Sequence, residues 1–192
     1  DGGTPGFLQA MRTALSIRVK NEMNITLIRE REEELVALAF KELCCIPGVH
    51  ILADNQKKRL GIISFYIEGM HFNMVVKLLS DRYGIQMRGG CACAGTYGHF
   101  LLDVSHEKSK QITDLITHGD LSQKPGWIRL SLHPTMTNND LLYIVDAIKQ
   151  VSVHHPEWKK DYLYNKHTNE FIHIKEWHQK DELVASWFEI NT

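Results

Sequence analysis

Residues 127–148 read "WIRLSLHPTMTNNDLLYIVDAI", and the hydrophobic period changes in the middle of the stretch. Arg129 sits between Ile128 and Leu130, and on strand alternation it faces away from both. Downstream the period becomes helical. Thr137 is placed to cap a helix running through Val151, with Asp140 three residues on as its capping-box partner. A half-buried strand that feeds an amphipathic helix is a unit of a layered α/β structure, so the flanking sequence decides the class.

Upstream, helices are expected over residues 5–20, with Thr4 as cap and Pro5 in the first turn, and over residues 25–43 on a stripe of Ile28, Leu35, Ala39 and Leu43. The run "REREEE" at 29–34 reads as a solvated face. Strands are expected over 49–52 and 60–67, an amphipathic helix over 71–83 ended by Gly84, and a short strand over 85–88. A polar helix capped by Ser105 runs over 105–117. The resulting fold class is α+β: a small mixed or antiparallel sheet of about three or four strands with helices packed on one face. From Ser152 the composition shifts. Five of the eleven histidines and three of the four tryptophans follow it, so residues 1–151 are read as one domain and 152–192 as a C-terminal extension. Within the extension, 170–175 reads as a strand and 181–188 as a helix.

Composition narrows the function. Charge nearly cancels, with 22 basic against 23 acidic residues, and the basic residues are scattered, which argues against a nucleic-acid surface. No apolar run approaches the roughly 18 residues of a membrane span. The four cysteines form two close pairs, Cys44–Cys45 and Cys91–Cys93, too few for a disulfide scaffold, and a reducing cytoplasm is the expected compartment. The opening "DGGTPGF" enters a helix signal at once, and the chain is read as a piece of something longer. In that case the helices beginning near Pro5 and Ile25 carry apolar surface that another domain or subunit covers.

Chemistry concentrates in two places. In "IQMRGGCACAGTYGHF", residues 85–100, two cysteines follow an arginine and two glycines. A nearby cation lowers a thiol pKa and makes it reactive, so Arg88 and the flexible Gly89–Gly90 supply ingredients for a working thiol. The alternatives are that Cys91 and Cys93 are plain loop residues, or that with His99 they hold zinc. The C-x-C spacing differs from the usual structural zinc pattern, and no metal ligand is assigned. Cys44 and Cys45, at a helix end, are expected to be buried. In the second place, Arg129 is either a surface residue or the planar fork for a carboxylate.

Taken together and in order, "GGTPGF" (2–7), "YGIQMRGGCACAG" (83–95) and "IRLSLHPTMTNNDLLYIVDAI" (128–148) resemble the C-terminal part of the class V aminotransferases, most closely the cysteine desulfurase and selenocysteine lyase branch. The resemblance covers about residues 2–151. It implies the small domain of a pyridoxal phosphate enzyme that acts on an amino acid and works as a homodimer. By that resemblance Arg129 binds the substrate carboxylate, Arg88 is the loop arginine, Cys93 is the sulfur-accepting thiol, and Thr4 reaches the cofactor phosphate of the partner subunit. In the family the cofactor lysine lies in a large upstream domain, and no lysine here has a comparable setting. The chain alone is therefore expected to bind no pyridoxal phosphate and to be inactive. Cys91 and "GTYGHFLL" depart from the usual desulfurase pattern, which leaves desulfuration, selenocysteine cleavage and transamination open. The other class of reading is a non-enzymatic thiol, zinc-binding or protein-interaction module.

Overall fold

Leu35, Ala39 and Leu43 of the second helix are fully buried, and with Val36 and Phe40 they set one wall of the core. They lie on a helix that spans Ile25–Leu43, opened by the Asn24 side chain, which accepts the Thr26 N–H. This architecture comes from a computed structural model of the chain, which describes residues 2–91, 95–175 and 187. In order, the elements are α1 (Phe7–Glu22), α2 (Ile25–Leu43), β1 (Val49–Ile51), β2 (Ile62–Ile67), α3 (Phe72–Tyr83), β3 (Arg88–Gly90), α4 (Gly95–Leu101), α5 (His106–Thr117), β4 (Trp127–Ser131), α6 (Asn138–Trp158), β5 (Tyr162–Asn165) and β6 (Glu170–His173). The class is α+β. Strands β1–β2–β4–β3 form one antiparallel sheet, and β5–β6 form a separate hairpin.

One face of the sheet carries Ile63, Phe65 and Ile67 from β2 and Ile128 and Leu130 from β4. Against it pack Val75, Leu78 and Leu79 of α3 and Leu141, Ile148 and Val151 of α6. Burying each such side chain contributes about 1.5–3 kcal/mol. Local signals agree with this placement. Thr137 and Asp140 form the capping box of α6, Ser105 caps α5, and Gly84 ends α3 in the left-handed region at φ 66°.

Some expectations change. The first helix starts at Phe7, and its N-cap is Gly6 without a side-chain bond, so Thr4 does not cap it. It buries none of its residues, and Phe7, Met11 and Leu15 are about 60% exposed. Arg31 is not part of a solvated face: its guanidinium donates to the Met136 carbonyl and to Asn138 Oδ1, both at 2.8 Å, and ties α2 to the loop before α6. The strand expected at 85–88 is shifted to Arg88–Gly90, because the Ile85 N–H is taken by the Leu79 carbonyl in the turn closing α3. Residues 95–101 form a short helix and 162–165 a strand where none was read. Helix α6 continues seven residues past Val151, and Tyr162 after it joins the core. The strand read at 170–175 is present as β6. The helix read at 181–188 lies outside the described residues apart from Trp187.

The glycines after Arg88 are demanded by packing. A Cβ on Gly89 would sit 2.9 Å from Phe72 Cδ2 and 3.2 Å from Val76 Cγ2, and one on Gly126 would sit 2.6 Å from Phe72 Cε1. Gly90 has φ 120°, a region that side chains disfavour. Helix α3 thus approaches β3 and the start of β4 where there are no side chains. Gly89→Ala is expected to destabilise the chain by about 1–3 kcal/mol through overpacking. Gly95→Ala, with nothing within 4 Å, should be neutral or stabilising. Urea midpoints of the two variants measure the contrast.

Candidate functional site

Once Ile128 and Leu130 enter the core, alternation turns Trp127, Arg129 and Ser131 to the opposite face of the sheet. The register then lines up its neighbours. Ser64 of β2 lies opposite Arg129 on one side, and Arg88 of β3 lies opposite it on the other. A row Ser64–Arg129–Arg88 therefore crosses three strands on one face. Directly opposed residues bring their Cβ atoms to about 4.5–5.5 Å, and like charges so placed repel. Among the described residues no carboxylate is within ion-pair distance of either guanidinium. Arg129 is half-buried, and its Nε is buried without a hydrogen-bond partner.

The two arginines share a cleft of about 410 Å³ with Met87, Ser131, Met136 and Ile144. Met136 is held there from both sides: its carbonyl accepts from Arg31, and its Sδ accepts the His133 N–H at 3.3 Å. Paired guanidinia, one with an unsatisfied buried N–H, in a cleft with an apolar wall suit a small carboxylate carrying a modest side chain.

Of the expected site residues, the sheet brings together Arg88 and Arg129. Cys93 lies outside the described residues. Thr4 is exposed ahead of α1 and does not line the arginine cleft. Cys91 is half-buried, with its Cβ 3.5 Å from where a Cβ on Gly98 would stand, and it borders two clefts. His99 shares one of these and is fixed by Ser109, Nδ1 to Oγ at 2.7 Å. Cys44 and Cys45 are exposed, contrary to expectation. Phe40, Leu43 and Ile46 take the core positions at this helix end, so both thiols turn outward, and Cys45 Sγ donates to the Lys41 carbonyl. Among the described residues, no three His, Cys, Asp or Glu side chains form a metal-holding group, and no helix is long and apolar enough to cross a membrane. Sequence reasoning missed Arg31 and Met136. The only signal for Arg31 was its place as one of two arginines in an acidic run, and its partners lie 105 and 107 residues away.

The class-V aminotransferase family model matches residues 1–144. A probable cysteine desulfurase of Staphylococcus aureus is 30% identical over 94 residues, covering 49% of this chain and 22% of that protein. Its Staphylococcus epidermidis counterpart is 29% identical over the same length. The chain thus spans about a fifth of the length of these relatives. Among solved structures, the cysteine desulfurase of Thermococcus onnurineus shares the fold with a TM-score of 0.58 at 23% identity, over 80% of this chain and 33% of that one. The cysteine desulfurase CsdA of Escherichia coli does so with a TM-score of 0.55 at 20% identity, over 81% and 32%.

The opposed arginines set up a test that needs no substrate. Arg88→Gln should raise the stability of this chain by a few tenths of a kcal/mol, since one of two like charges is removed from a solvent-facing pair. Added salt, raised from about 0.01 M to about 1 M, should stabilise the parent chain more than the variant, because the Debye length falls from about 30 Å to about 3 Å. Urea unfolding at the two salt concentrations measures both effects.

Proposed function

The chain belongs to the class-V aminotransferase family, and from that membership we propose that residues 1–151 act as the small domain of a pyridoxal phosphate-dependent enzyme of the cysteine desulfurase type, with 152–192 as an extension. The Ser64–Arg129–Arg88 row is the observation that supports this reading most. It is a ready carboxylate site on the open face of the sheet, and the substrate is an amino acid, with cysteine the leading choice. Pyridoxal phosphate, when bound, supplies the electron sink that loosens bonds at and next to the α-carbon.

The residues here fit the substrate side of such a site. Arg129 grips the α-carboxylate bidentately, and Nε is the donor already buried and waiting. Arg88, opposite it, completes the neutralisation of the carboxylate. Thr4, exposed at the head of α1, is free to donate its hydroxyl to the cofactor phosphate of a partner subunit, which makes the working form a homodimer. Cys93 takes the substrate sulfur: its thiolate bonds to that sulfur as the carbon–sulfur bond breaks, leaving a persulfide on Cys93 and a carbon that is then protonated. The cofactor lysine belongs to the large domain of the enzyme. The compartment is the reducing cytoplasm, where exposed thiols such as Cys44 and Cys45 persist.

Two substitutions in the whole enzyme test the assignment. Arg129→Lys keeps the charge and loses the fork, so KM should rise roughly tenfold or more, a decade per 1.4 kcal/mol. An unchanged kcat/KM for every amino acid accepted would remove Arg129 from the site. Cys93→Ala should abolish sulfide release from cysteine while Cys91→Ala largely spares it. If Cys93→Ala keeps full activity, the loop cysteine is no nucleophile, and transamination or selenocysteine cleavage becomes the better reading.

A further inference from the structure

The β5–β6 hairpin lies beyond the stretch matched by the family, and it is fastened to α3 at both ends. At the C-terminal end of α3, the Tyr162 hydroxyl donates to Asp81 Oδ2 at 2.9 Å, and Arg82 pairs with Asp161 at 3.4 Å. At the N-terminal end the fastening is different in kind. His71 is the N-cap of α3: its Nδ1 accepts the Asn73 N–H at 3.1 Å, which puts the ring proton on Nε2. The ring is boxed by Phe72 at 4.5 Å, Phe171 of β6 at 5.3 Å and Tyr164 of β5 at 5.5 Å, centroid to centroid. Its Nε2 is buried with no partner in hydrogen-bond geometry. Around it, Asn73 Nδ2 donates to the Asn169 carbonyl, and Asn169 Oδ1 accepts from the Tyr164 hydroxyl.

The hairpin also holds something. Its turn takes the Leu121 N–H on the Lys166 carbonyl, pairs Lys166 with Asp120, and sets His167 Nδ1 against the Gly119 carbonyl. Residues 168–172 and the loop bearing Leu121 and Lys124 line, together with α3 and Arg88–Cys91, a groove of about 840 Å³. We propose that the β5–β6 hairpin is an acid-released latch on this groove, with the neutral His71 ring as its catch, so that protonation of His71 frees the hairpin turn and opens the approach to Cys91.

The physical case is local. A protonated ring would lose the Nδ1 lone pair that caps α3, and it would place a cation beside the helix N-terminus and among uncharged groups. Every side chain shown to touch the ring is uncharged: Phe72 from α3, Tyr164 from β5, Asn169 from the turn and Phe171 from β6. The titratable groups on these elements do not supply a counter-charge there. Lys77 and Asp81 pair with each other farther along α3, Glu68 before α3 pairs with His50, and Glu170 on β6 is exposed. His167 meets the Gly119 carbonyl through Nδ1 at 2.9 Å. Tyr164 is held protonated by burial. Asp120 stays charged down to about 2, because the Ser122 side chain and N–H stabilise its carboxylate, so it does not release the turn in mild acid.

Burial lowers the His71 pKa from the ordinary 6.5, and the neighbouring Asn169 side chain offsets only part of this. A histidine with a lowered docked-state value contributes its docking energy above the undocked value. That energy drains away as the pH falls from about 6.5 through the docked value.

Hydrogen exchange on this chain, corrected for intrinsic rates, tests the latch. Between roughly neutral pH and one unit below 6.5, amides of 162–173 and 119–124 should lose protection. Amides of β2, β4 and α6 should keep theirs. In His71→Asn, which retains a capping oxygen, and in His71→Phe, which retains the aromatic box, the ratio of protection between the two pH values should be near one. A parent hairpin equally protected at both pH values overturns the proposal, as does a variant that keeps the parent's pH dependence. If neither variant folds, NMR titration of the parent decides. His71 ring and hairpin amide shifts that share one midpoint support the latch, and separate midpoints refute it.

Discussion

Ile128 and Leu130 reach the core because alternation along β4 puts both on the face covered by α3 and α6, and the register of β4 between β2 and β3 carries the rest of the site with it. A slip of one residue would turn Arg129 into the space now filled by apolar side chains of α3 and α6 and would expose the pair that anchors the sheet. The cost of burying a guanidinium there is far larger than any preference of the exposed face, so core packing decides where the arginine points. The same register sets Arg88 opposite Arg129. Two cations end up side by side because β3 pairs with β4 in the register that sets Arg88 against Arg129.

That repulsion is tolerable on an open, solvent-facing surface and becomes useful when an anion arrives. It also explains why the residues around the arginines are held from outside the sheet. Arg31 reaches from α2 to fix the Met136 carbonyl, and Phe72 lies against Gly89 and Gly126, so β3 is clamped from the core side. The glycines of the Arg88 loop thus serve close packing first. At Gly90 a positive φ then lets the chain leave the sheet toward the cysteines.

The appended hairpin adds a wall to this arrangement. Its fastening at the C-terminal end of α3 uses charge and a tyrosine hydroxyl, whereas the N-terminal end relies on an uncharged imidazole inside an aromatic box. Two fastenings of different chemistry on one short element respond to different conditions, which is what separates a latch from a fixed strut.

Much of this was legible in the sequence. Period-2 and period-3.6 patterns located β2, β4, α3 and α6, and capping residues at Ser105 and Thr137 and the stop at Gly84 marked ends that the backbone respects. These signals are local, so one stretch of chain suffices to read them. Arg129 could be placed on the face away from the core, because alternation is a property of a single strand. What the sequence left undecided rests on contacts between distant residues. The opposition of Arg88 and Arg129 needs a strand register across 41 residues, and the outward turn of Cys44 and Cys45 depends on which neighbours fill the core. Gly89 reads as a flexible loop residue until Phe72 is seen against it, and His71 reads as one more histidine until Tyr164 and Phe171 return from the end of the chain to enclose it. Local periodicity therefore determined the elements and their buried faces. Tertiary packing alone decided which polar groups meet, because burial and proximity between distant segments exist only once the chain has closed on itself.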